Sequence, residues 1–358
     1  MGKLEDIQQH IKNIKSLEGS SFQCDEPAIL EEYQKRGGEK SNFIIKALSI
    51  FGGILASLAF LGFLLILGLY ESEAAILLVG IGLIIVSVFL TKKYDALIMD
   101  TIGISLYMLG LVLFIFGLFT FDINEDVVTL LVMAVALCSL FIVQNPILSF
   151  FALLIISGGL LTLIVSNDVY GLVHLYINLH AFALTYVFLN ESSILTSDLK
   201  LVKLYDPLRI ALVFSLLFGL VATIKQEFFF LSKNHFWISS LVIILILMYV
   251  VHSLLKTFEV STLKTKIGVY LFSALTLLPT LFAPAISGAL LIVLLSFKVN
   301  YKTGLSIGII SLVYFVIQYY YDLNFTLLTK SIILFSSGLV FLLFYIFLTK
   351  KLNSNEKV

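Results

Sequence analysis

The chain has 358 residues, 59% of them hydrophobic and 13% charged, with a mean hydropathy of +1.05. Soluble domains carry charge on about a quarter of their residues, so this inventory excludes a water-facing globule. The balance of 23 basic against 23 acidic residues argues against a nucleic-acid or other polyanionic partner.

Residues 1–42 form a separate polar piece. Leu4, Ile7, Ile11 and Ile14 recur at helical spacing, which predicts a short amphipathic helix within a solvated, partly helical tail. A charged linker over 25–40 follows, broken at Gly37-Gly38. The first long apolar run starts near Phe43 and has no small-residue cleavage site, so it reads as a retained first span.

From there apolar runs alternate with short polar punctuation. A spanning helix needs about 20 apolar residues, and its backbone must satisfy itself. The runs predict twelve spans, at 45–69, 74–91, 97–120, 126–143, 147–165, 170–189, 208–224, 235–255, 267–282, 284–298, 303–321 and 325–349. A β-barrel is excluded, because the runs are long and do not alternate. The expected architecture is an all-α, polytopic transmembrane bundle over 43–350, flanked by the tail at 1–42 and a short tail at 351–358.

Orientation follows from lysine and arginine in the short loops. With the N-terminus in the cytoplasm, that side receives Lys92, Lys93, Lys200, Lys203, Arg209, Lys256, Lys264, Lys266, Lys298, Lys302, Lys350 and Lys351. The outer loops receive Glu71, Glu73, Asp122, Glu125, Asp126, Asp168 and Asp322, with Lys225 and Lys233 as the basic exceptions. Both termini are therefore expected in the cytoplasm. Pro279 and Pro284 interrupt the apolar stretch at 267–298, which reads as two short spans or a re-entrant hairpin; one long span would break the charge asymmetry.

Polar residues within spans are the candidates for chemistry, since burying them in lipid is costly. Tyr170, His174, Asn178 and Thr185 fall within roughly 40° of one direction on a helix, with Ala181 between them. The stripe can line a polar pathway, with His174 as a proton-responsive group, or hold helices together by hydrogen bonds. His180 points elsewhere and reads as a self-contained histidine. Asp100, seven residues after Lys93, can bind a cation or pair with a lysine. Gly52, Gly53, Gly80, Gly82, Gly158 and Gly159 read as close helix-packing points.

The last such stretch is YYYDLNFTLLTKSIILFSSG at 319–338. Asp322 or Asn324 can cap the final helix, and Tyr319, Tyr320 and Tyr321 suit an interfacial aromatic belt. Lys330 lies roughly 9–12 Å further along, deep enough to turn inward or to snorkel back on its long stem.

This stretch resembles the C-terminal signature of an uncharacterised bacterial membrane family, domain of unknown function 4401. The pattern falls on Tyr320, Tyr321, Leu323, Leu327, Leu328, Lys330, Ser331 and Gly338, and Leu277-Leu278-Pro279 is also similar. The resemblance covers 43–350. It implies a multi-pass protein of the inner membrane, and a complex with a related multi-span protein (family number 2157) and a GDYxxLxY-type protein. It brings no activity.

Two functions remain in play. One is transport or permeation of a small solute or ion, with Asp100, His174, Asn178, Thr185, Asp322 and Lys330 as binding candidates. The alternative is a non-catalytic membrane component of an envelope complex, in contact with the lipid bilayer and neighbouring membrane proteins. No nucleophile–base pair, HExxH or paired carboxylates point to an enzyme. No cofactor is expected, and Cys24 and Cys138 offer neither a metal spacing nor a disulfide framework.

Overall fold

Long apolar runs without period-two alternation can satisfy their own backbone as α-helices, and that is what they form. The computed structural model describes residues 71–93, 97–143, 145–197, 199–224, 236–259 and 262–322, with scattered positions between 11 and 68 and between 328 and 342. Among the described residues every regular element is helical. Nine helices there are long and apolar enough to cross a membrane. Their outward faces carry large apolar side chains such as Leu78, Leu245 and Leu271, each more than half exposed, which suits lipid as the surrounding solvent.

The ten expected spans from 74–91 to 303–321 each meet a helix. Those at 45–69 and 325–349 lie largely outside the described residues. The chain divides into two compact units, Met1–Phe121 and Asp122–Val358.

In the first unit, α1 (Glu73–Lys93) and α2 (Leu97–Thr120) pack along a seam of small residues. A Cβ on Gly80 would meet the Phe114 backbone nitrogen at 2.7 Å, and one on Gly117 would lie 3.0 Å from the Leu77 Cα. Gly103, Gly110 and Gly117 recur every seven residues on α2, and Gly80 and Ser87 keep the same interval on α1. The Ser87 hydroxyl donates to the Gly103 carbonyl at 2.5 Å. Close backbone approach is how apolar helices gain contact where lipid removes the hydrophobic drive. Of the other glycines expected at packing points, Gly53 and Gly159 face side chains, while Gly52, Gly82 and Gly158 meet nothing within 4 Å among the described residues. In the N-terminal tail, Ile11, Lys12, Lys15 and Ser16 are helical, and the Lys15 ammonium touches the Glu26 carboxylate.

The second unit holds α3 (Glu125–Ile142), α4 (Pro146–Ser166), α5 (Leu172–Leu189), the short α6 (Glu191–Leu195), α7 (Leu199–Ile224), α8 (Phe236–Thr257), α9 (Leu263–Leu277), α10 (Pro284–Lys298) and α11 (Lys302–Asp322). Two asparagines start helices. Asn124 accepts from the Asp126 amide, and Asn145 accepts from Ile147 and Leu148 while Pro146 occupies the first turn. Asp126 then ties α3 to the end of α4, accepting from Ser166 Oγ at 2.7 Å and Asn167 Nδ2 at 2.9 Å. The core is built mainly from α5, α7, α8 and α10, with Ile177, Leu184, Leu220, Ile243, Leu247, Ala289 and Ile292 fully enclosed. Small residues set the crossings. A Cβ on Gly219 would strike Tyr176 and Ile177 at 2.9 Å, and one on Gly288 would strike Leu220 at 2.4 Å.

One expectation needs correction. The stretch left between the expected spans at 170–189 and 208–224 is largely helical: α7 begins at Leu199 and runs through Pro207. Proline there removes the bond to the Lys203 carbonyl, which lies among polar residues before the apolar stretch begins. The stretch at 267–298 breaks at Ala283, after a 3₁₀ segment over Leu278–Phe282. α10, expected as a short span or as one arm of a re-entrant hairpin, has 15 residues, about 22 Å of helix against a hydrocarbon core of about 30 Å. Nine of its residues are buried, and it packs against α5, α7, α8 and α11. It is a short central helix.

Candidate functional site

The polar stripe on α5 turns into the second unit. His174 and Thr185 are buried, and the Asn178 side-chain oxygen is buried with no hydrogen-bond partner among the described residues. Residues 174, 178 and 185 share a face because four and seven steps of a 3.6-residue turn nearly close on themselves. His174 Nδ1 lies 2.8 Å from Ser239 Oγ on α8, with the Phe236 ring edge-on to the imidazole. The next residue, Ser240, is fully buried, and its hydroxyl has no hydrogen-bond partner among the described residues. Thr185 donates back to the Ala181 carbonyl at 2.7 Å, a local bond that hides its hydroxyl from the neighbouring helices.

Tyr170 departs from the expected stripe. It precedes the start of α5, and its hydroxyl donates to Asp168 at 2.9 Å, which holds its pKa above the ordinary phenol value. The left-handed backbone of Asp168 makes this turn, so helical angles do not apply to Tyr170.

His180 is self-contained on another side of α5. Its Nδ1 lies 2.8 Å from the Tyr176 carbonyl and its Nε2 lies 3.2 Å from Ser157 Oγ. A carbonyl only accepts, so Nδ1 carries the proton and Nε2 of the neutral ring accepts from Ser157. This ring borders a groove of about 630 Å³ between α4 and α5, lined also by Leu163, Asn167 and Tyr176.

Of the remaining candidates, Asp100 is described. Asp100 is half-buried in the first turn of α2, in the other unit, where a carboxylate complements the positive end of the helix. Asp322 ends α11; its side chain and Lys330 lie outside the described residues. Among the described residues no three of His, Cys, Asp and Glu gather to hold a metal.

One cluster was not singled out from sequence. Arg209 on α7 lays its guanidinium over the Tyr301 ring, 3.8 Å from the centroid, with Tyr205 at 5.1 Å. Its NH2 group lies 2.8 Å from Asp206 and its NH1 group 3.6 Å from Glu191. Burial pushes the Tyr301 hydroxyl up, partly offset by the guanidinium, so the phenol stays neutral. The available signal was rarity: Arg209 is the sole arginine after Arg36. This latch joins α6, α7 and the segment between α10 and α11.

A family profile described as Domain of unknown function (DUF4401) matches residues 42–351. The chain belongs to that family. The DUF4401 match takes in both units and leaves out most of the polar tail. No curated protein and no solved structure matches the chain.

Proposed function

We propose that this DUF4401 protein carries a small solute or ion across a membrane, along the buried polar column of α5 and α8. The observation that carries this reading is the pair of buried, unpartnered groups beside His174, namely Asn178 Oδ1 and Ser240 Oγ. Enclosed polar atoms are nearly always bonded, and groups kept for a passing solute or water are the exception. The short α10 adds support, because transporters build midplane sites from helices that stop within the bilayer. The test is flux into vesicles holding purified protein and the pH dye pyranine, driven by potassium with valinomycin. Proton entry above that of empty vesicles is expected, and Asn178→Leu should slow it roughly tenfold, about 1.4 kcal/mol of barrier. Rates equal to empty vesicles under proton, sodium and potassium gradients would remove the reading.

The proposal includes both termini in the cytoplasm of a bacterial inner membrane, with α9 and the short α10 as the two arms of one re-entrant hairpin between the flanking spans, supported by the basic loops described above. Reporter fusions after Lys93 and after Lys351 should both read cytoplasm; an outside signal at the second breaks the parity.

A second reading, a membrane component of an envelope complex, draws on Leu263–Phe282. Only 6% of its most apolar stretch is buried within the chain, leaving a whole helix face for a partner. Co-purification of a GDYxxLxY-type or related multi-span protein, lost on Leu271→Lys, is the expected result. Unchanged recovery in the variant would sink it.

A further inference from the structure

α5 and α8 run in the same direction, since His174 meets Ser239 near their starts and Leu189 and Tyr249 border another groove near their ends. That groove encloses about 580 Å³. Its walls are apolar, with Phe182, Leu245 and Tyr249 each more than half exposed. From Phe182 to Asn190 the wall extends about 12 Å along α5. One end is polar, formed by Asn190, Ser253 and Lys298.

Among the described residues the charge at that end is unbalanced. The Lys298 ammonium donates to Ser253 Oγ, and among the described residues no carboxylate pairs with it. The carboxylate next in sequence to Asn190, Glu191, is held by Arg209. A half-buried cation at the mouth of an apolar groove favours an anion that brings its own apolar tail. The lysine lies at the last turn of α10, where the nearby helix end favours positive charge.

We infer that this groove binds one anionic phospholipid, with its phosphate on Lys298 Nζ and Ser253 Oγ and an acyl chain along Phe182, Leu245 and Tyr249. The site is independent of the transport reading: it needs only a bilayer around the helices.

Purified full-length protein in detergent would be titrated with phosphatidylglycerol, phosphatidylcholine or glycerol phosphate, and bound lipid counted by native mass spectrometry. Phosphatidylglycerol should be retained over phosphatidylcholine, and glycerol phosphate should not bind. Lys298→Gln should lower phosphatidylglycerol retention about tenfold, the loss of one charged hydrogen bond. Leu245→Trp fills the groove from an exposed position and keeps Lys298, so it should lose retention with an unchanged melting temperature. Lys256→Gln, one turn from Ser253 and outside the groove, should bind as the parent does. Equal retention of the two lipids overturns the inference, as does wild-type retention in Leu245→Trp. Binding of glycerol phosphate as tight as the lipid would make this a soluble-anion site and overturn it too.

Discussion

Gly110→Leu is expected to separate α1 from α2 and to cost about 3 kcal/mol of stability, the upper range for overpacking. Even the first carbon of a side chain would lie 2.9 Å from the Gly80 carbonyl oxygen and 2.9 Å from the Ile84 amide nitrogen. Both are backbone atoms inside a helix, so neither can turn aside as a side chain would. Relief requires the helices to part, which forfeits the packing of Ile76 against Leu113, both nearly fully enclosed. Gly82→Leu supplies the control, because a side chain there meets nothing within 4 Å among the described residues. Thermal unfolding in detergent should show a large drop for Gly110→Leu and almost none for Gly82→Leu. Matching drops would mean that leucine acts through helix propensity or insertion and that the seam is unimportant.

How much of this was legible beforehand depends on what each feature requires. The helices were readable because an apolar run and its polar boundary are local properties; Asn124 and Asn145 begin helices where the punctuation ends. The glycine seam was half readable. Gly103, Gly110 and Gly117 display their interval openly, but which face meets Gly80 is decided by the neighbouring helix. Glycine content alone does not separate them from Gly52, Gly82 and Gly158, which meet nothing within 4 Å among the described residues.

The same division runs through the candidate site. The face shared by His174, Asn178 and Thr185 is set by helical geometry on one element, whereas the hydroxyl facing His174 comes from 65 residues away. Extending the helix two residues too far is what places Tyr170 on the stripe. Pro207 misleads in the opposite direction, because a proline with polar surroundings looks like a boundary and here lies within a helix. Nothing local to Arg209 announces Tyr301, which reaches it through the chain's return after α10.

Arg209→Lys is expected to lower stability by about 1–2 kcal/mol although it keeps the charge. The guanidinium is flat, lies 3.8 Å from the Tyr301 ring centroid, and still reaches Asp206 and Glu191 with separate nitrogens. An ammonium is a compact, strongly hydrated point and can serve one of these partners at a time. The side chain is only 17% exposed, so the stack is sheltered from water, and a sheltered cation–π contact is worth about 2 kcal/mol. The carboxylates contribute less: Asp206 is 75% exposed, and ion pairs in solvent count for little. Asp206→Asn should therefore leave the melting temperature nearly unchanged. Tyr301→Leu should cost about as much as Arg209→Lys, while Tyr301→Phe keeps the ring and should cost far less. If Arg209 and Tyr301 act as one contact, the double variant loses about what either single variant loses. Additive losses from Arg209→Lys and Tyr301→Leu, measured by thermal unfolding in detergent, would show that the two side chains act independently.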